Sequence, residues 1–176
     1  MIKLCIFSTF LFFAWSSVVQ GFSTTARTAL VIDNTTGDIL LSKKINRPIP
    51  PASMSKLMTL FMVFESLEEG KIKMDDTFRV SRKAWKKGGS KMFVREGANV
   101  TIENLIKGVI IQSGNDACIV LAEGIAGTEE NFAELMTIRA KEIGLTNSNF
   151  KNSTGWPDPD HYMSSKDLVT LANKIR

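Results

Sequence analysis

Ser53 and Lys56 stand three residues apart in Pro50-Pro51-Ala52-Ser53-Met54-Ser55-Lys56, and an apolar run follows to Leu67. On a helix that spacing puts a hydroxyl and an amine on one face, within reach of each other. A serine hydroxyl becomes a nucleophile when a neighbouring base takes its proton, and lysine serves as that base once burial disfavours its ammonium form. Working near pH 7 requires a shift of roughly three units from about 10.4, equivalent to about 4–5 kcal/mol. In a first helical turn Ser53 would also lie among unsatisfied backbone N–H groups at the positive end of the helix dipole, which favour a developing oxyanion. The plainer alternative is a serine at a helix start followed by a solvated lysine. A second match, Ser148-Asn149-Phe150-Lys151, lies in a polar stretch with no apolar helix behind it and reads as chance.

The elements around this pair follow from the hydropathy pattern. Pro50 and Pro51 predict an extended lead-in with a helix beginning just after them. Met54, Leu57, Met58, Leu60, Phe61, Met62, Val63 and Phe64 make that helix apolar nearly all round, so it should cross a core, and Gly70 should end it. Upstream, Ala29–Asp33 and Asp38–Ser42 flank the turn residues Asn34-Thr35-Thr36-Gly37 and predict a hairpin. Residues 75–100 read as short strands and loops, with Thr77–Val80 and Met92–Val94 as strand pieces around Lys87-Gly88-Gly89-Ser90.

Thr101 should cap an amphipathic helix carrying Ile102, Leu105, Ile106, Val109 and Ile110 and ending at Gln112. Ser113-Gly114-Asn115-Asp116 then breaks the chain before a second apolar helix, Ala117 to Ile125. A polar corner between two buried helices is either a capped turn or a site, because buried polar groups cost free energy unless hydrogen-bonded. Thr128 opens a further helix with Phe132, Leu135, Met136, Ala140 and Ile143 on one face, ended by Gly144. A polar loop from Asn147 to Tyr162 leads to a last helix, started at Ser164–Asp167 and carrying Leu168, Val169, Leu171, Ala172 and Ile175. The pattern is still helical at Arg176, without a C-cap signal, and reads as a truncated domain.

Composition narrows the class. The chain has 176 residues, 44% hydrophobic and 23% charged, enough for one domain with a real core. Residues 1–21 have a secretory pattern: Lys3, the apolar run Leu4–Trp15, then small residues before a cleavage point after Gly21. The run is short for a membrane span of about 20 residues, so export with cleavage is expected. That leaves Cys118 as the only mature cysteine, in the apolar Ala117–Ala122 stretch, where it reads as a buried small hydrophobe. The formal charge of +4 becomes +3 without Lys3, too little to imply a nucleic-acid partner. Arg79, Arg82, Lys83, Lys86, Lys87, Lys91 and Arg95 cluster against Glu96 alone, as a solvated face or a surface for an anionic envelope polymer or membrane. One histidine and one mature cysteine supply no metal-ligand cluster, and no cofactor is expected.

Three segments together carry a resemblance: Pro51–Thr59 around Ser53 and Lys56; Ile111-Gln112-Ser113-Gly114-Asn115-Asp116-Ala117; and Asn152-Ser153-Thr154-Gly155-Trp156 with His161 to Leu168. In order and spacing, from Ala29 onward, the chain resembles the low-molecular-mass penicillin-binding proteins, and more closely the serine-type D-alanyl-D-alanine carboxypeptidases. The resemblance implies an α/β architecture of the β-lactamase/transpeptidase type, an antiparallel sheet packed by helices. It implies residues 22–176 as a partial D,D-peptidase domain, incomplete at the C-terminus. It also implies removal of the terminal D-alanine from peptidoglycan stem peptides through an acyl-enzyme, acylation by β-lactam antibiotics, and a periplasmic location. Carried over, Ser53 is the nucleophile, Lys56 its base, Ser113 a proton relay to the leaving D-alanine, and Asn115 a substrate-binding residue that helps hold Lys56. The family's Lys-Thr/Ser-Gly motif does not occur in these residues. Nor do the C-terminal domain and the amphipathic anchor helix, which in a longer product imply peripheral membrane association. The 176-residue product by itself is therefore expected to be unstable and inactive.

Rival readings remain open at this level. A Ser-His-Asp triad would have to use His161, whose alternative is a structural loop role. A β-lactamase is disfavoured by glycine at position 114 and by the absence of a glutamate between Thr146 and Ser153. A non-catalytic peptidoglycan- or penicillin-binding remnant is the alternative from another class.

Overall fold

The computed structural model describes residues 22–175, and the expected leader over residues 1–21 lies outside them. The predicted hairpin is present: β1 (Ala29–Ile32) pairs antiparallel with β2 (Ile39–Lys43), with Ala29 opposite Lys43 and Val31 opposite Leu41. Asp33 Oδ1 accepts the N–H groups of Thr35 and Thr36, and Gly37 at φ +82° closes the turn. A second antiparallel pair joins β3 (Thr77–Arg79) to β4 (Asn99–Thr101).

Helices make up most of the rest. They are α1 (Lys56–Glu68), α2 (Arg82–Lys86), α3 (Ile102–Gln112), α4 (Asn115–Ala126), α5 (Glu129–Glu142) and α6 (Ser165–Ile175). Capping explains three of the starts. Ser81, Thr101 and Thr128 each accept the backbone N–H three residues on, satisfying one orphan donor of the first turn. Two apolar clusters form the core. One gathers Leu60 and Val63 of α1, Ile102, Leu105 and Val109 of α3, and Ala117–Leu121 of α4. The other gathers Met58 and Phe61 of α1 with Phe132, Met136 and Ala140 of α5 and Phe150, Met163 and Leu171. α1 contributes to both, so it runs through the middle, and Gly70 at φ +69° turns the chain out of it. Among the described residues no helix is long and apolar enough to cross a membrane.

Four local expectations are corrected. The lead-in is not extended: Pro51 is helical (φ −81°, ψ −15°), and Ala52 takes φ +50° as the first residue of a 3-10 turn, Ala52–Ser55, that precedes α1. Met92–Val94 is not a strand. The Asp116 carboxylate accepts the N–H groups of both Met92 and Val94, curling the segment and forcing exposed Phe93 to φ +64°. Residues 82–86 form α2, a single turn too short to show periodicity, started by its Ser81 cap and anchored by buried Ala84. Leu135 of α5 and Ile110 of α3, placed on apolar faces by their spacing, are 44% and 60% exposed, while Phe132, Met136 and Ala140 fill the interior.

Candidate active site

Ser53 lies in the 3-10 turn and is exposed; Lys56 begins α1 and is 4% exposed. Lys56 Nζ donates to Ser53 Oγ at 3.2 Å and to the carbonyl oxygen of Thr154 at 2.9 Å. A solvent-facing hydroxyl thus meets an amine that is almost out of water. Burial holds the Lys56 pKa below the usual lysine value, because little solvent remains to stabilise the ammonium form. The Cys118 thiol lies close to the amine. Cys118 itself is fully buried and pushed up to about 12 by that burial, so it stays a neutral thiol, as its sequence context predicts.

Cys118 also places the polar corner. It lies three residues after Asn115 on α4, so the two share the helix face turned toward Lys56. Ser113 closes α3 in the left-handed conformation (φ +54°), and α4 starts two residues later. Asn115 is 6% exposed; its backbone N–H donates to the Ser90 carbonyl and its side-chain Nδ2 to the Gly88 carbonyl at 2.9 Å. The described bonds of Lys56 therefore run to Ser53 and Thr154, and the Asn115 amide runs to the 88–90 loop. Asp116, fully buried, ties down residues 92–94.

A wall closes the region from the side of the long loop. Asn152 Oδ1 accepts the N–H groups of Thr154, Gly155 and Trp156, an Asx-type hub that aims the Thr154 carbonyl at Lys56. Ser153 is held from beneath: Glu129 Oε1 accepts both its N–H and its hydroxyl, while Glu129 Oε2 pairs with Lys83 at 2.8 Å. The Ser153 carbonyl accepts the Thr59 hydroxyl at 2.7 Å. Trp156 reaches across to the opposite loop, with Lys87 Nζ 4.1 Å from its ring centroid and with Gly88 and Gly89 against its edge.

The second Ser-x-x-Lys match does not assemble. Ser148 is buried and donates to Asp167 Oδ2 at 2.7 Å, whereas Lys151 is exposed. His161 is also absent from the Ser53 pair; its Nε2 lies 2.7 Å from Ser55 Oγ. Spacing alone did not single out Thr154, whose contribution is a backbone carbonyl, or Ser55. The Asn-x-x-Gly pattern of 152–155 was the available signal for the loop.

The model of the D-alanyl-D-alanine carboxypeptidase family matches residues 16–176. The chain belongs to this family. It is 43% identical over 150 residues to the D-alanyl-D-alanine carboxypeptidase DacF of Bacillus subtilis (strain 168), covering 85% of this chain and 39% of that relative. The crystal structure of the D-alanyl-D-alanine carboxypeptidase DacD from Francisella tularensis superposes with a TM-score of 0.84 at 38% identity, over 88% of this chain and 37% of that one. Penicillin binding protein 5 from Haemophilus influenzae matches equally well, with a TM-score of 0.84, 36% identity, and 89% and 46% coverage. The expected fold class, β-lactamase/transpeptidase-like, is therefore the observed one. The chain spans less than half the length of each of these relatives.

Proposed function

We propose that this chain carries the nucleophile and base of a serine D,D-carboxypeptidase that removes the terminal D-alanine from peptidoglycan stem peptides. The observation that carries the reading is the 3.2 Å approach of the buried Lys56 amine to the exposed Ser53 hydroxyl. Ser53 Oγ attacks the carbonyl carbon of the penultimate D-alanine as its proton passes to the neutral Lys56 amine. The peptide C–N bond then breaks as Ser113 relays the proton held by Lys56 to the leaving D-alanine nitrogen, which returns Lys56 to its neutral form. Water hydrolyses the resulting ester, Lys56 taking the water proton and passing it to the departing Ser53 Oγ. Asn115 binds the substrate amide. Its present bond to the Gly88 carbonyl keeps that amide group oriented at the corner.

β-Lactams acylate the same serine on this reading, in keeping with the name of the Haemophilus relative. Recognition of the terminal carboxylate belongs to a product that also carries the Lys-Thr/Ser-Gly motif. The leader pattern of residues 1–21 assigns the mature domain, from residue 22, to the extracytoplasmic space.

The test is covalent labelling, by a fluorescent penicillin, of a product that carries this chain together with the Lys-Thr/Ser-Gly motif. Wild type should be labelled at Ser53, and Lys56→Arg should lose labelling, because a guanidinium does not give up its proton near neutral pH. Labelling of Lys56→Arg at the wild-type rate would reject Lys56 as the base.

A further inference from the structure

His161 is the single histidine of the chain and is 3% exposed. Its two ring nitrogens have fixed roles. The backbone N–H of Lys151 donates to Nδ1 at 3.2 Å, so Nδ1 carries no proton in the neutral ring. The ring proton is on Nε2, which donates to Ser55 Oγ at 2.7 Å. Phe150 packs edge-on against the ring, with centroids 5.5 Å apart, and fixes its plane. A nitrogen that donates to Ser55 takes no proton from it, so this pair is not a catalytic dyad.

Ser55 stands between Ser53 and Lys56 in the turn that leads into α1. Three side chains of that stretch grip the long loop: Ser55 at His161, Lys56 at the Thr154 carbonyl, and Thr59 at the Ser153 carbonyl. The Ser55 contact alone joins two side chains, so it can be altered from either end without touching the Ser53–Lys56 pair. The turn it secures is strained. Ala52 holds φ +50°, a conformation that costs a non-glycine residue about 1–3 kcal/mol and persists only where its surroundings impose it. Gly155 backs the Ala52 carbonyl on one side, and the Ser55–His161 bond holds the turn three residues further on.

We propose that His161 is a positioning residue for the Ser53–Lys56 pair, acting through the hydrogen bond from Nε2–H to Ser55 Oγ. The inference deepens the function proposed above and rests on its assignment of Ser53 and Lys56. The bond holds the start of α1 against the loop, so that the Lys56 amine stays out of water and points at both Ser53 and Thr154. The other titratable groups acting on the two sites are Cys118, beside Lys56, and Asp158, near His161.

Two substitutions separate positioning from simple structural support. His161→Asn keeps an acceptor near the Nδ1 position for the Lys151 N–H but has no donor that reaches Ser55. His161→Gln places an amide N–H near the Nε2 position and leaves the Lys151 N–H unpaired. The experiment titrates the Lys56 amine by carbon-13 NMR on lysine-labelled protein, assigned with Lys56→Met, and measures fluorescent-penicillin labelling on the same variants of a product that also carries the Lys-Thr/Ser-Gly motif. Lys56 should titrate low in wild type and His161→Gln. It should move up toward an ordinary lysine in His161→Asn and Ser55→Ala, with labelling slowed tenfold or more. The Ser55→Ala/His161→Asn double variant should be no worse than either single. Nitrogen-15 spectra of the lone histidine should show the Nε2–H tautomer. The Nδ1–H tautomer, or a His161→Asn protein that titrates and labels like wild type, would overturn the proposal. If His161→Asn does not fold, Ser55→Ala decides the matter by the same two readouts. Absence of labelling in wild type counts against the proposed function, while the Lys56 titration still decides the role of His161.

Discussion

Gly155 faces the carbonyl oxygen of Ala52 so closely that a Cβ on Gly155 would collide with it. Ala52 is itself left-handed at φ +50°, and Gly155 sits at φ +79°. The residue before Ser53 and the residue after Thr154 are therefore fitted to each other, backbone against backbone. Through that contact the loop that accepts the Lys56 proton donor also sets the direction of the turn carrying Ser53.

Gly155→Ala should be among the most damaging single changes that leave every polar group in place. The added methyl meets backbone, which does not rotate away, and a positive φ is strained for alanine. A loss of about 3 kcal/mol is expected from the two effects together, or roughly 6–12 °C in Tm for a chain of this size. A thermal melt measures it. A Tm within a degree or two of wild type would show that loop and turn separate easily in solution.

Asp116→Ala should destabilise the fold by about 3 kcal/mol, because it strands backbone N–H groups rather than a surface charge. The carboxylate accepts Met92 N–H, Val94 N–H and Ala117 N–H, and the residue is fully buried. Urea unfolding gives the energy, and amide exchange gives the location: Met92 and Val94 should lose protection first. Undiminished protection at both would contradict the bonding described.

Stability should depend on pH through His161. Burial lowers its pKa below 6.5, so the unfolded chain takes up the proton first as pH falls. The contribution is fully present above about pH 6.5 and is lost as pH falls through the lower folded-state pKa, with a limiting slope of about 1.4 kcal/mol per pH unit for one proton. His161→Gln should flatten the acid side of the stability curve relative to wild type, read from urea midpoints at pH 7.5 and 5.0. Parallel curves for the two proteins would remove His161 as the source.

The rate of penicillin labelling should rise with pH and reach half its maximum below 10.5, since the neutral Lys56 amine is the reactive form and burial lowers its pKa. A labelling rate that is flat from pH 6 to 10 would mean that no lysine deprotonates in the rate-limiting step.

The parts of this protein legible in its sequence were those governed by local pattern. The hairpin 29–43 was announced by two apolar runs around Asn-Thr-Thr-Gly, and α3 by its Thr101 cap and helical period. α1 followed from an apolar run long enough to need a core on all sides. The Ser53–Lys56 proximity was equally local, because three residues along a turn fix the distance between side chains whatever surrounds them. Two of the misread segments were shaped by distant partners. Asp116 curls Met92–Val94 from 22 to 24 residues away, and the left-handed Ala52 is backed by Gly155. No periodicity encodes such contacts.

The sequence by itself determined that a serine and a lysine would meet on one helical turn, and its three motifs placed the chain in a family. Only the tertiary structure decided the state of that lysine. Its desolvation depends on α4 and on a loop 98 residues further along the chain, whose Thr154 carbonyl accepts the amine. It also decided the place of the lone histidine, which bonds Ser55 across 106 residues and leaves Ser53 to Lys56. Spacing sets what a side chain can touch within its own turn. Burial and hydrogen-bond geometry, which set its charge, come from the elements that fold over it.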